Sequence, residues 1–287
     1  MLDWDREGDK LVDCIFAQGM FQKGGILLLL CAGGCIGSYG SDAGPQVIAG
    51  MAPTSTPKIA LPDAPQKQSC VTERGLPMAI VKDQIPIWTS PVRIRTHDLV
   101  WLLPLGAATG VTLATDTDAM RAVSRDRAFN KDSVNASDYL IGGEIAIPVG
   151  LYGVGVFKGN RHARETGILS GEALADSVVV EEVTKLIFRR ERPLYQNAAG
   201  DFFVSNIGSN GSFPSSHSML AWTLAAVLAG QYPSKWVQAS AYSIASSVSL
   251  ARILGQEHFP TDVLVGGAAG WLIGHYVFKK HHACHLP

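Results

Sequence analysis

Three short stretches in the C-terminal half carry the residue types from which a phosphate-handling site can be built. The first is Lys185-Leu-Ile-Phe-Arg-Arg-Glu-Arg192-Pro193. At about 3.6 residues per turn, Lys185 and Arg192 fall close to two turns apart and leave one helix face, with Arg189 between them. Such a pair is either a cationic clamp for phosphate or a basic helix end that complements the helix dipole. The second stretch, Gly211-Ser-Phe-Pro-Ser215-Ser216-His217-Ser218, runs small and hydroxyl residues into a long apolar helix. A helix start exposes unpaired N–H groups and suits an anion, although serines there also serve as simple N-caps. The third is Arg252-Ile-Leu-Gly-Gln-Glu-His258-Phe-Pro-Thr-Asp262. A carboxylate beyond a proline turn can hold one imidazole nitrogen and leave the other free to attack or to carry a proton. A lone His–Asp pair is equally what any buried histidine needs.

Taken together the three narrow the reading. From average residue usage, Lys-x6-Arg-Pro starts at roughly one position in several thousand, and Arg-x5-His-x3-Asp is rarer. Both occur in order around Pro214-Ser215-Ser216-His217. In this the chain resembles the type 2 phosphatidic acid phosphatase and vanadium haloperoxidase superfamily, whose signature is Lys-x6-Arg-Pro, then Pro-Ser-Gly-His, then Ser-Arg-x5-His-x3-Asp. The resemblance runs from about Val180 to Ile273. Two positions depart from it: Ser216 stands where the family keeps glycine, and Ala251 where it keeps serine. The Ser216 backbone N–H can still donate, so the anion site is expected to survive in a narrower pocket.

The resemblance implies a division of labour. His258 would attack phosphorus and form a phosphohistidine, oriented by Asp262. His217 would give a proton to the leaving oxygen and then activate water. Lys185, Arg192, Arg252, Ser215 and Ser216 would bind the phosphoryl oxygens. Three cations and a helix N-terminus neutralise charge without a metal or other cofactor, and vanadate is expected to inhibit. The implied substrate is a phosphomonoester or diphosphate, of a lipid or of a small soluble ester. A periplasmic acid phosphatase of broad specificity is the near alternative; a vanadium-dependent haloperoxidase and a non-catalytic envelope lipoprotein are the remote ones. The paired aspartates of Asp116-Thr-Asp118 are similar to those of another phosphatase class, but their sequence context does not match and helix capping explains them better.

The elements that must position these residues are helices. Helical segments are expected over 98–114, 139–157, 172–190, 216–230, 236–254 and 260–279, with Gly255 as a stop and Pro260 in a first turn. Strand signals are few, so the fold class is all-α. The resemblance implies a helical bundle of about six core helices with the phosphate site at the ends of central ones. Charged residues make up 17% and hydrophobic residues 47% of the 287. That shortage of charge points to extensive burial or membrane contact. A net charge of −1 gives no reason to expect nucleic acid.

The N-terminus adds an address. From Met20 a basic start leads into an apolar run over 26–32 and small residues before Cys35, the layout of a secretory signal. Ala32-Gly33-Gly34-Cys35 resembles a bacterial lipoprotein cleavage box, so lipidation of Cys35, an ordinary signal peptide and an uncleaved anchor stay open. The expected divisions are a targeting segment at 1–35, a linker at 36–76, a helical domain at 77–281 and a tail at 282–287. Cys70 and Cys284 could pair. The expected location is extracytoplasmic, in the cell envelope, with the bundle at a membrane surface and partly inserted. Lys279-Lys280-His281-His282 with His285 could hold metal adventitiously, though a solvated tail is the simpler reading.

Overall fold

The computed structural model describes residues 73–205 and 208–282. The targeting segment, most of the linker, Cys35, Cys70, Cys284 and the tail beyond 282 lie outside the described residues. Among those described there are seven α-helices and no strand. They are α1 (Leu76–Thr89), α2 (Leu99–Ala122), α3 (Arg127–Lys158), α4 (Arg161–Phe188), α5 (Ser216–Gln231), α6 (Lys235–Leu254) and α7 (Pro260–His281).

Helix α5 is the hub. It is apolar on every side, and Ala221, Leu224, Ala225, Val227 and Ala229 are all buried, as expected of a helix surrounded by others. Ala221 and Ala225 pack with Ile141 of α3 and with Ala241, Ala245 and Val248 of α6. Val227 packs with Leu169 and Ala173 of α4 and with Ile273 and Val277 of α7. The closest pairing is α5 against α7. Gly266, Gly270 and Gly274 recur every fourth residue along α7, and a methyl group at each would run into the backbone carbonyls of Ser215, Met219 and Thr223. Small residues at this spacing let two backbones approach, as they do between membrane helices. Hydroxyls then bridge the seam: Ser218 Oγ donates to the Val263 carbonyl at 2.9 Å, and Thr223 Oγ1 lies 3.0 Å from that of Gly270. The tight seam brings the N-termini of α5 and α7 together, where the Ser215 N–H donates to the Asp262 carbonyl at 3.0 Å.

Three helices are longer than the residue pattern suggests. Helix α2 runs to Ala122 because its polar residues are absorbed, with Thr112 and Thr115 bonding back to carbonyls of the preceding turn. Helix α3 starts at Arg127, where Asp126 accepts the Phe129 N–H at 2.9 Å, and it continues through Pro148. Helix α4 starts at Arg161 under the cap of Asn160. By length and composition, the segments Thr96–Ala122 and Arg127–Lys158 could each cross a membrane, and the most apolar window of the first holds no buried residue. Leu103, Val111, Tyr139 and Val149 of these helices are exposed.

Candidate active site

The first motif does not stay on one helix. Helix α4 ends at Phe188, and its cap Arg189 takes a left-handed backbone with φ of 40°. The expected two-turn face from Lys185 to Arg192 is therefore corrected: Lys185 leaves the last turn of α4, and Arg192 comes from the strap that follows. The left-handed cap redirects the chain so that Arg190, not Arg189, points inward. Arg190 is buried between two carboxylates, donating to Asp262 Oδ1 at 2.6 Å and to Asp116 Oδ2 at 2.8 Å. Its guanidinium lies over the rings of Phe202 and Phe259. Asp116 is thus no cap of its own helix. It sits inside α2 and its other oxygen accepts the Thr261 N–H at 3.1 Å, capping α7 from a distance.

At the head of α7, Asp262 Oδ2 accepts the Phe259 N–H at 2.9 Å. His258 is 1% exposed, and its Nδ1 lies 2.7 Å from the Ser212 carbonyl but 3.9 Å from Asp262. The backbone carbonyl, which can only accept, therefore fixes the tautomer with the proton on Nδ1 and the lone pair on Nε2. Asp262 was expected to do this directly; it acts instead through its charge and through the frame it builds with Arg190. Burial holds the His258 pKa below its ordinary value, against the pull of Asp262, and the charges of Arg192 and Arg252 add to the depression. The imidazole is neutral at physiological pH.

At the head of α5, Ser215 is the buried N-cap, its hydroxyl accepting the Ser218 N–H. Ser216, in the place of the family's glycine, uses its hydroxyl: it accepts from Lys185 Nζ at 2.6 Å and donates to Glu181 Oε1 at 2.6 Å. Lys185 and Glu181 also pair directly, one turn apart on α4.

The remaining site residues are joined by two acids, Asp138 from outside the three stretches and Glu257 from an unassigned position within the third. Asp138 of α3 accepts from His217 Nε2 at 2.9 Å and from Arg252 Nη1 at 3.3 Å. Glu257 takes Arg192 Nη1 in an ion pair and lies 3.5 Å from Arg252 Nη2. Burial pushes the His217 pKa down to about 4; the nearby Arg252 and His258 add to this, and Asp138 opposes it. All eight residues singled out in the motifs are thus gathered at one end of the bundle. Asp116, Asp138, Glu181, Arg190, Ser212 and Glu257 join them. Four of these had a sequence signal: Arg190, Ser212 and Glu257 lie inside the three stretches, and Asp116 belongs to the aspartate pair assigned to helix capping.

Three cations and two histidines thus gather around the start of a buried helix in an all-helical bundle. Residues 167–285 match the model of the PAP2 superfamily. A lipid A 1-phosphatase from Porphyromonas gingivalis is 35% identical over 82 residues, covering 26% of this chain and 18% of that protein. The match thus spans under a fifth of the curated relative. Two solved structures are similar: LpxE from Aquifex aeolicus (22% identity, TM-score 0.41, 54% of this chain and 88% of that one), and a transmembrane PAP2 type phosphatidylglycerolphosphate phosphatase from Bacillus subtilis (20% identity, TM-score 0.42, 71% and 95%).

Proposed function

We propose that this protein is a phosphatase that removes phosphate from a lipid at a membrane surface. One observation carries the reading: Lys185, Arg192 and Arg252 surround the N-terminus of α5, between a buried neutral His258 and the carboxylate-bonded His217. The PAP2 segment and the lipid phosphatase activity named for the P. gingivalis relative support it. Membrane association is supported by the unburied apolar surface of α2 and α3, and an extracytoplasmic location by the export-like layout before Cys35.

In this mechanism His258 Nε2 attacks phosphorus as the bond to the leaving oxygen breaks. His217 gives that oxygen its proton. Water, deprotonated by His217, then attacks the phosphohistidine and breaks the N–P bond, which frees phosphate and restores both imidazoles. Lys185, Arg192, Arg252 and the Ser216 N–H hold the three equatorial oxygens, where charge spreads in the transition state. Ser215 holds the helix start that presents that N–H. The chemistry proposed uses no cofactor.

The test is phosphate release from a lipid phosphate in detergent and from a small aryl phosphate, for wild type and His258→Ala. The reading expects a preference for the lipid and loss of both activities in the variant. Equal hydrolysis of both substrates would reduce it to a general acid phosphatase, and undiminished hydrolysis by the variant would remove His258 as nucleophile.

A further inference from the structure

A second polar cluster lies at the far end of α7, away from the phosphate clamp. Asp262 and His281 are separated by nearly the full helix, about 28 Å at about 1.5 Å per residue. Here α1 contributes Asp83 and Gln84, α4 contributes Glu172 and Asp176, and α7 contributes Tyr276, Lys280 and His281. Asp83, Glu172 and Asp176 are fully buried and His281 is 4% exposed. His281 Nε2 stands 3.3 Å from Asp83 Oδ2 and 3.8 Å from Glu172 Oε1. One ligand atom from each of the three lies within 4.8 Å of the others.

The proposed phosphatase chemistry uses none of these groups, and packing alone does not account for them. Neither oxygen of Glu172 accepts a hydrogen bond, although the side chain is fully buried among the other ligands. A buried carboxylate without donors is costly, and such groups are paired, protonated or bound to a metal. Its neighbours are occupied: Asp176 accepts from Gln84 at 2.7 Å, and Asp83 pairs with Lys280, which also bonds Tyr276. Three carboxylates thus share one ammonium and one imidazole, and a divalent cation would supply both countercharge and a partner for the Glu172 oxygens.

We propose that Asp83, Glu172 and His281 bind one divalent transition-metal cation of the zinc class, which fastens α1 to α4 and α7. One imidazole with carboxylates is a donor set of that class, whereas magnesium and calcium take oxygens alone.

The experiment uses the full chain, purified without an affinity metal, with Zn2+ alone as the probe. Elemental analysis after dialysis and calorimetric titration are expected to give one tightly held Zn2+ per chain, and a chelator is expected to lower the melting temperature. Glu172→Gln keeps the shape, removes a buried charge and is expected to weaken Zn2+ binding by more than about tenfold, against an unchanged circular dichroism spectrum. Because the C-terminal tail is itself rich in histidine, a His282→Ala/His285→Ala variant is the control and is expected to bind as wild type does. Absence of stoichiometric metal in wild type overturns the proposal. So does binding that survives Glu172→Gln and is lost in the tail variant. Neither result touches the phosphatase reading, which rests on the other end of α7.

Discussion

Glu257→Gln keeps the side chain's length and removes its charge from between the two arginines of the clamp. In the ligand-free protein that carboxylate pairs with Arg192 and lies 3.5 Å from Arg252, so phosphate must take both arginines from an internal anion. Glu257 and Arg192 are 22% and 26% exposed, which keeps each pair near the modest worth of solvated ion pairs, about 0.5–1 kcal/mol. Losing two such pairs costs the incoming phosphate about 1–2 kcal/mol, which is about 5- to 30-fold in affinity. The variant is therefore expected to lower the inhibition constant for inorganic phosphate by that factor and to lower KM in parallel. The assay is product inhibition of aryl phosphate hydrolysis at fixed pH and ionic strength. Weaker phosphate binding in Glu257→Gln would refute the competition and show that the carboxylate holds the arginines in place for the substrate.

Three further outcomes follow from contacts elsewhere in the site. Arg190→Ala strands Asp116 and Asp262 as buried unpaired charges at a cost of about 3–5 kcal/mol, so thermal unfolding should drop by on the order of 10 °C; a change under about 2 °C would show that the pairs contribute little. Asp138→Asn removes a group that raises the His217 pKa, so the fraction of protonated His217 should fall at every pH and the basic limb of the kcat/KM profile should move to lower pH. A limb that stays in place would take His217 out of the general-acid role. Gly270→Ala puts a methyl into the Met219 carbonyl and should cost about 1–3 kcal/mol of stability together with activity, whereas Gly142→Ala, with open space around it, is a control for both.

The parts of the site legible in the sequence were those whose roles are set by local spacing. His258 and Asp262 share one turn, Ser215 and Ser216 open a helix, and basic residues close another. What could not be read was how the backbone leaves α4. A left-handed Arg189 depends on the strap folding back onto Phe188, where the Phe203 N–H donates to the Phe188 carbonyl at 2.8 Å, and that one residue turns Arg190 inward and frees Arg192 from the helix. The partners of Asp116 and Asp138 escaped for a different reason. Each aspartate lies on a long helix, and the chain separations to Arg190 and Arg252 are 74 and 114 residues, so no local pattern marks these pairings. The departure at Ser216 was visible, but its bonds to Lys185 and Glu181 follow from the α4–α5 packing. The same separation hid the Asp83 cluster, whose members come from three helices.

The central claim is that His258 carries the phosphoryl group between substrate and water. Its most direct test is rapid acid-free quenching of wild type and His217→Ala with labelled substrate, followed by mapping of the labelled peptide. The account predicts an acid-labile phosphohistidine at His258, more abundant in His217→Ala with an activated aryl phosphate because that leaving group needs no proton while hydrolysis still needs the base. Label on His217, or turnover with no phosphoenzyme in either protein, would contradict it.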